Sequence, residues 1–163
     1  MKTLLLIRHA KAANFGLETG DHSRPLSQKG REHAAILGQQ ITDAGIEIDQ
    51  ILVSSAQRTI ETWQQIRADK PVDAIQIEKL YLASSDEIQK QIWLHADEAE
   101  TLAIIGHNPG LAILSWELLQ AGQNHDLSSA QKLQGNFKTA YAACFDMRQK
   151  QPKLCQVFDP RTG

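Results

Sequence analysis

Short apolar runs alternate with longer amphipathic stretches along the chain, and this alternation predicts strands that are buried between covering helices. The first runs occupy residues 3–7, 51–53 and 102–105. Two later runs, over residues 141–145 and 154–158, predict a closing pair of strands.

Between these runs, apolar residues recur with the period of an α-helix. The spacing predicts a helix over residues 27–44, with Ser27 as its N-cap and Gly45 as its stop. Further helices are predicted over residues 59–68 and 85–98.

A fourth helix is predicted to follow the third run. Asn108 is expected to be its N-cap and Pro109 its first residue, because proline loses no hydrogen bond there, and the helix should continue to about residue 121. Residues 122–135 are polar and lack a clear period, which predicts a surface excursion. Together the elements predict an α/β fold, a three-layer α/β/α sandwich with a mostly parallel central sheet, in one domain over residues 1–163.

The tryptophans fall in the predicted helices and are interpreted as core anchors: Trp63, Trp93 and Trp116. In the helix over residues 85–98, Ile88, Ile92 and Trp93 share one face.

Composition narrows the class of protein. The 163 residues carry a formal net charge of −2 with no basic block, so nucleic acid is not an expected partner. The N-terminal apolar run is far shorter than a signal-peptide core, and no later stretch approaches the ~20 apolar residues of a membrane helix. We therefore expect a cytoplasmic protein without membrane contact, in which Cys144 and Cys155 are buried thiols and not a disulfide.

Polar clusters follow the first three predicted strands, where parallel α/β sheets bind their ligands. Arg8 and His9 follow the first strand, Arg58 lies shortly after the second, and His107 follows the third. Paired arginines at one sheet edge indicate a phosphate site. A neutral histidine attacks phosphorus readily, so His9 is the candidate nucleophile, and His107 is a candidate donor to the developing charge.

The polar clusters belong to four segments of the chain: Arg8-His9-Ala10-Lys11-Ala12, Arg24-Pro25-Leu26-Ser27 with Gly30, Ser54-Ser55-Ala56-Gln57-Arg58-Thr59 with Thr62, and Gly106-His107-Asn108-Pro109-Gly110. Together these segments resemble the motifs of the histidine phosphatase superfamily, a phosphoglycerate mutase-like fold, and most closely its short bacterial branch, the protein-phosphohistidine phosphatases. The resemblance implies that His9 becomes phosphorylated and that Arg8, Arg58 and His107 clamp the phosphoryl group.

Other residues of these motifs are expected to border the substrate. Arg24 matches a recurrent arginine of the short branch, which either contacts phosphate or forms a structural ion pair. Lys11 and Asn108 are further candidate substrate contacts. The histidines have no metal-ligand spacing and no acidic pair suggests magnesium, so neither metal nor cofactor is expected.

Two departures from the family pattern bear on activity and substrate. Alanine at position 10 replaces the usual glycine, which adds a methyl group without removing a donor. In residues 78–84, Tyr81, Leu82 and Ala83 occupy the place where relatives that cleave alcohol or sugar phosphates tend to carry an acid. Imidazole can leave phosphorus as a neutral group, whereas an alkoxide needs a proton, so the pattern favours phosphohistidine on a signalling or phosphotransfer protein.

Three alternatives remain open. Asp86 or Glu87 could serve as the acid for a small phosphomonoester, with Glu78 as a further nearby carboxylate. A binding module that has lost turnover would keep the phosphate clamp. A cysteine phosphatase is suggested by the spacing of Cys155 and Arg161, but Pro160 deletes a backbone donor from that loop. A monomer is favoured, although the sequence leaves the oligomeric state open.

Overall fold

Strands and helices alternate in the computed structural model, which describes residues 1–14, 20–67 and 72–162. The strands are β1 (Thr3–Arg8), β2 (Gln50–Ser54), β3 (Ala74–Ile77), β4 (Thr101–Gly106), β5 (Ala142–Asp146) and β6 (Lys153–Phe158). The α-helices are α1 (Gln28–Asp43), α2 (Gln57–Arg67), α3 (Ser85–His95), α4 (Gly110–Ala121) and α5 (Leu127–Gly135). Short 3-10 turns occupy Asp21–Ser23, Glu78–Leu80 and Ala96–Glu98.

The described strands form one six-stranded sheet in the order β3-β2-β4-β1-β5-β6. Strands β3, β2, β4 and β1 run parallel, β5 pairs antiparallel with β1, and β6 pairs antiparallel with β5. The mostly parallel sheet is therefore confirmed. Strand β3 lies at an edge and was missing from the sequence prediction, because its four residues have no buried apolar run.

Alternate side chains of the central strands enter two cores. Leu4 and Leu6 of β1 pack in the core that is covered by α3, α4 and α5. Leu5 and Ile7 point to the opposite face and pack with apolar residues of α1 and α2. This alternation, which follows from the period of two along a strand, confirms the three-layer α/β/α sandwich.

Local signals located the helix ends well where a cap and a stop were both present. The Ser27 hydroxyl accepts a hydrogen bond from the Gly30 amide at the start of α1, and Gly45 after its end has φ +69°. The predicted helix over residues 59–68 corresponds to α2, and Ala68 lies outside the described residues. Helix α3 ends at His95, earlier than predicted, and a 3-10 turn covers residues 96–98.

None of the described helices has the length and apolarity to cross a membrane.

Several predictions about burial and periodicity were wrong. The excursion over residues 122–135 contains α5, whose N-cap Asp126 accepts a hydrogen bond from the Ser129 amide. Trp63 is buried as expected, but Trp93 is 71% exposed and Trp116 is 43% exposed. The large buried side chains of α3 and α4 are mainly aliphatic, such as Ile88, Ile92 and Leu114.

The cysteines are both free thiols, as expected, but they differ in burial. Cys144 is buried in β5, and burial raises the pKa of its thiol to about 12. Cys155 is exposed on the edge strand β6 beside a β-bulge, so its predicted burial was wrong.

Candidate active site

The polar clusters predicted at three strand ends meet at one edge of the sheet. Strand β4 lies between β1 and β2, so the residues that follow these strands are neighbours. The His9 amide donates a hydrogen bond to the Gly106 carbonyl over 3.1 Å. The ring centroids of His9 and His107 are 5.1 Å apart. The expected convergence of the clusters is therefore present in the fold.

His9 has one ring nitrogen bound and the other available. Its Nδ1 lies 2.7 Å from the carbonyl oxygen of Ala10. A carbonyl can only accept, so this contact assigns the proton to Nδ1 and leaves a lone pair on Nε2 in the neutral ring. Burial, together with the charges of Arg58, Arg8 and Arg24, lowers the pKa of His9 to about 4. The His9 ring is therefore neutral at neutral pH, as its predicted role of nucleophile requires.

Ala10, which stands where the resembled family usually has glycine, is accommodated behind the site. Ala10 is fully buried and clusters with Leu26, Ala34 and Ala140. Its amide donates to the Thr62 hydroxyl over 3.0 Å. The methyl group of Ala10 thus packs in the interior and does not block the surface in front of His9.

Arg8 has one guanidinium nitrogen bound to the main chain and one buried nitrogen without a partner among the described residues. Its Nη1 donates to the Phe137 carbonyl over 2.9 Å. Its Nε is buried and has no hydrogen-bond partner within the described ranges. Burial, with a contribution from the charge of Arg161, lowers the pKa of Arg8 from its ordinary value. An anionic group would accept a hydrogen bond from the unused Nε donor and would compensate the positive charges of Arg8 and Arg161.

His107 is held by a hydroxyl on one side and a guanidinium on the other. Its Nε2 lies 2.8 Å from the Ser54 hydroxyl, and its Nδ1 lies 3.3 Å from Nη2 of Arg58. Because arginine only donates, Nδ1 is the acceptor and Nε2 carries the proton. Burial and the neighbouring His9 and Arg58 lower the pKa of His107 to about 3. In this state Nδ1 does not carry the proton that the predicted donor role needs.

Arg58 is oriented by a residue that the sequence analysis missed. The side chain of Arg58 is 4% exposed, and its Nη1 and Nη2 donate to the backbone oxygen and the carboxylate of Asp21 over 2.7 and 3.0 Å. Tyr81 donates its hydroxyl to the same carboxylate over 2.8 Å. The only sequence signal for Asp21 is its place three residues before Arg24, at the start of the matching motif.

The remaining candidates have different surroundings. Arg24 pairs with Asp21 at 3.0 Å and donates to the Ala13 carbonyl, which favours the structural ion pair over a phosphate contact. Lys11 is exposed, and its backbone oxygen accepts from Ser27.

Asn108 differs from its predicted place in the helix. Its amide group donates to the Phe137 carbonyl over 2.9 Å, so it does not cap α4. The helix begins at Gly110 with Pro109 as its N-cap, one residue later than predicted. The prediction failed because the Asn108 side chain bonds across to residue 137 and not to its own helix. Asn108 and Arg8 thereby share one carbonyl acceptor at the site.

The predicted acid candidates do not join the cluster. Asp86 and Glu78 are exposed, and Glu87 accepts from Gln91 at 2.6 Å. Within residues 1–14, 20–67 and 72–162, the carboxylate that hydrogen-bonds to the cluster is that of Asp21. Partners on three sides lower the pKa of Asp21 to about 2, with the Tyr81 hydrogen bond as the largest cause. This carboxylate is therefore ionised and cannot act as a resting general acid.

The Cys155 segment does not form a phosphate loop. The Cys155 thiol lies on β6 and contacts the Lys153 carbonyl, and Arg161 is bound to Asp159 and to the Thr139 carbonyl. Among the described residues, no group of three or more histidine, cysteine, aspartate or glutamate side chains is placed to hold a metal ion.

Comparison with known proteins gives the same family as the motifs. Residues 4–81 match the family model of the histidine phosphatase superfamily (branch 1). The Mycobacterium leprae protein ML1117 is 30% identical over 144 residues, which cover 86% of this chain and 87% of that protein.

Solved structures are similar over nearly the whole chain. A candidate phosphohistidine phosphatase SixA from Agrobacterium tumefaciens has a TM-score of 0.84 and 28% identity, covering 98% of this chain and 99% of that one. A candidate SixA from Nakamurella multipartitia has a TM-score of 0.83 and 25% identity, covering 98% of this chain and 96% of that one.

Proposed function

The chain belongs to the histidine phosphatase superfamily, and on that premise we propose that it hydrolyses phosphohistidine on a protein through a phosphorylated His9. Superfamily membership supports phosphatase activity. The finer proposal is supported by the similarity to candidate SixA phosphohistidine phosphatases. The observation that carries it is the neutral ring of His9, whose Nδ1 is bound and whose Nε2 has no hydrogen-bond partner among the described residues.

The first step is an in-line attack of His9 Nε2 on the substrate phosphorus. A bond forms between Nε2 and phosphorus as the bond to the leaving nitrogen breaks. Positive charge then develops on the His9 ring, and the Ala10 carbonyl stabilises it through the proton on Nδ1. Arg8 and Arg58 hold the phosphoryl oxygens.

His107 contributes after the phosphoryl group arrives. The anionic phosphoryl group raises the pKa of His107, so that Nδ1 gains a proton and donates to an oxygen of that group. The Ser54 hydroxyl keeps the ring in place by accepting from Nε2. Water then attacks phospho-His9, releases phosphate and restores the neutral ring.

The leaving group explains why no neutral carboxylic acid is needed. A phosphohistidine ring that is protonated on its other nitrogen departs as neutral imidazole, whereas an alkoxide would need a proton. Asp86, Glu87 and Glu78 make no hydrogen bond to the cluster in the described structure, which favours the first kind of substrate. We propose a signalling or phosphotransfer protein as the partner.

A substrate panel tests this function. The panel contains a histidine protein phosphorylated with phosphoramidate and several sugar and serine phosphates. The wild type should hydrolyse the phosphohistidine protein much faster, and His9→Ala should lose that activity. His95→Ala is the matched control, because His95 pairs with Glu98 at the end of α3, remote from His9. Equal or faster rates on the phosphomonoesters would refute the proposed substrate class.

A further inference from the structure

The carboxylate of Asp21 receives hydrogen bonds from three side chains at the rim of the site. Its Oδ1 accepts from Arg24 over 3.0 Å. Its Oδ2 accepts from Arg58 over 3.0 Å and from the Tyr81 hydroxyl over 2.8 Å. The Asp21 side chain is still 35% exposed, so this negative charge faces the solvent side of the cluster.

The contact with Arg58 fixes the plane of the guanidinium. Asp21 binds Nη2 through its carboxylate and Nη1 through its backbone oxygen, so the two terminal nitrogens of Arg58 are held by one residue. Nη2 also points to the ring of His107 at 3.3 Å. A buried arginine that is anchored in this way loses little further side-chain entropy when it binds an oxyanion.

Tyr81 extends the same network to His107. Its ring packs edge-on against the His107 ring at 5.5 Å and 87°. The Arg58 guanidinium lies 5.9 Å from the centroid of the Tyr81 ring. Tyr81 lies in the segment where phosphomonoester-cleaving relatives tend to carry an acid. Here its hydroxyl instead donates a hydrogen bond to the Asp21 carboxylate, next to Arg58 and His107.

The charge of this carboxylate affects leaving groups in opposite ways. A phosphohistidine ring that is protonated on its second nitrogen is cationic, and a nearby carboxylate stabilises that reactive form. A phenolate or alkoxide leaving group gains negative charge in the transition state, and the same carboxylate opposes it. At short range such an interaction between charges changes a rate about fivefold in water, and about tenfold or more near a protein surface.

We propose that Asp21 is the positioning residue for Arg58 and that its negative charge makes the site select phosphoryl donors with a protonated nitrogen leaving group. The inference rests on the proposed function and names the residue that sets its specificity. Asp21 acts by orienting Arg58 and by the electrostatic effect of its negative charge on the leaving group.

The test compares Asp21→Asn with wild type on two substrates. The first is a histidine peptide phosphorylated with phosphoramidate, and the second is p-nitrophenyl phosphate. Asp21→Asn should lower kcat/KM for the phosphohistidine peptide about tenfold more than for p-nitrophenyl phosphate. It should also weaken inhibition by inorganic phosphate, because the loss of the Asp21 contacts that orient Arg58 outweighs the removal of one repelling negative charge. Asp21→Glu keeps the charge and should retain more of the wild-type preference between the substrates.

The control is Asp146→Asn. Asp146 also has a pKa lowered to about 2 by an arginine, Arg148, but it lies opposite Thr3, at the far end of β1 from Arg8. This variant should match wild type on both substrates. Circular dichroism verifies that Asp21→Asn is folded. Tyr81→Phe removes one partner of Asp21 but keeps the negative charge, so the preference between the two substrates should change less than in Asp21→Asn.

The outcomes separate this inference from the function on which it rests. Equal losses on both substrates would overturn selection by charge. Unchanged inhibition by phosphate would overturn the positioning of Arg58. A wild-type enzyme without phosphohistidine hydrolysis would refute the proposed function and the selectivity with it, whereas phosphate inhibition would still report on Asp21 and Arg58.

Discussion

The Nδ1 atom of His9 donates a hydrogen bond to the carbonyl oxygen of Ala10, over 2.7 Å. The main chain of the adjacent residue therefore selects the tautomer of the candidate nucleophile. In many histidine-dependent sites a carboxylate side chain has this role. A backbone carbonyl fixes the ring without adding negative charge beside the incoming phosphoryl group, which suits a reaction in which anionic oxygens approach the ring.

The first prediction concerns the pKa of His9. Burial and nearby arginines lower this pKa to about 4, so NMR titration of the ring should show a midpoint near that pH and far below 6.5. Arg58→Gln should move the midpoint upward, because a neighbouring cation is removed. A wild-type midpoint near 6.5 would contradict the described environment.

The same shift predicts how stability depends on pH. Between pH 6.5 and about 4, the unfolded chain protonates His9 while the folded chain does not, so the unfolded state binds more protons. The free energy of unfolding should therefore fall as pH falls through this window. His9→Asn should show a shallower fall in urea titrations at pH 7, 6, 5 and 4, and an equally steep fall would contradict the account.

Ser54→Ala should destabilise the fold and slow catalysis. The buried Ser54 hydroxyl accepts the Nε2 proton of His107 at 2.8 Å, so its loss leaves a buried donor unpaired. The expected cost is about 1–3 kcal/mol in the free energy of unfolding, measured with urea. Ser115→Ala is the control, since the Ser115 hydroxyl is buried without a partner in the described part of the chain. A similar effect of both substitutions would count against the His107 contact.

Gly110→Ala should disturb the start of α4. A Cβ atom at this position would lie 2.0 Å from the Ala83 carbonyl oxygen, so the helix and the 82–84 segment would have to separate. We expect a loss of about 1–3 kcal/mol in the free energy of unfolding, together with reduced activity through the adjoining Tyr81 and His107. At Gly20 an added Cβ meets nothing within 4 Å, so Gly20→Ala should stay near wild type. Unchanged stability of Gly110→Ala would contradict the close packing.

The tryptophans should differ in their contribution to stability. Trp63→Ala removes a ring that is 4% exposed and should cost about 3–5 kcal/mol in the free energy of unfolding. Trp93 is 71% exposed, and Trp93→Ala should change stability by about 0.5 kcal/mol or less. Iodide should quench the fluorescence of Trp93 strongly in a variant that retains Trp93 alone. Comparable losses for both alanine variants would place Trp93 in the core.

The sequence predicted the sandwich and the meeting of Arg8, His9, Arg58 and His107 because each rests on a strong local signal. Apolar runs mark the buried strands, and residues at the carboxyl ends of adjacent parallel strands must meet. The edge strand β3 and helix α5 lack such a signal. Most of the described side chains in these two elements are partly or fully exposed, so neither element shows a clear apolar period, and the surrounding fold determines their conformation.

Contacts between distant segments account for the other differences. Asp21 binds Arg58 and Tyr81, which are 37 and 60 residues away in the sequence, and no local sequence pattern predicts such pairs. Asn108 reads as an N-cap locally but bonds to the Phe137 carbonyl, 29 residues away. Trp93 was assigned to the core by spacing alone, although the face of α3 that meets the sheet is filled by Ile88 and Ile92.

Phosphate on His9 is the most direct test of the central claim. The enzyme is mixed with a phosphohistidine protein, quenched into alkali within milliseconds, where phosphohistidine survives, and digested for mass spectrometry. The account predicts a transient phosphate on His9, bonded to Nε2, that decays with turnover and is absent from His9→Ala. Turnover without phosphate on His9, or phosphate on another residue such as Cys155, would contradict it.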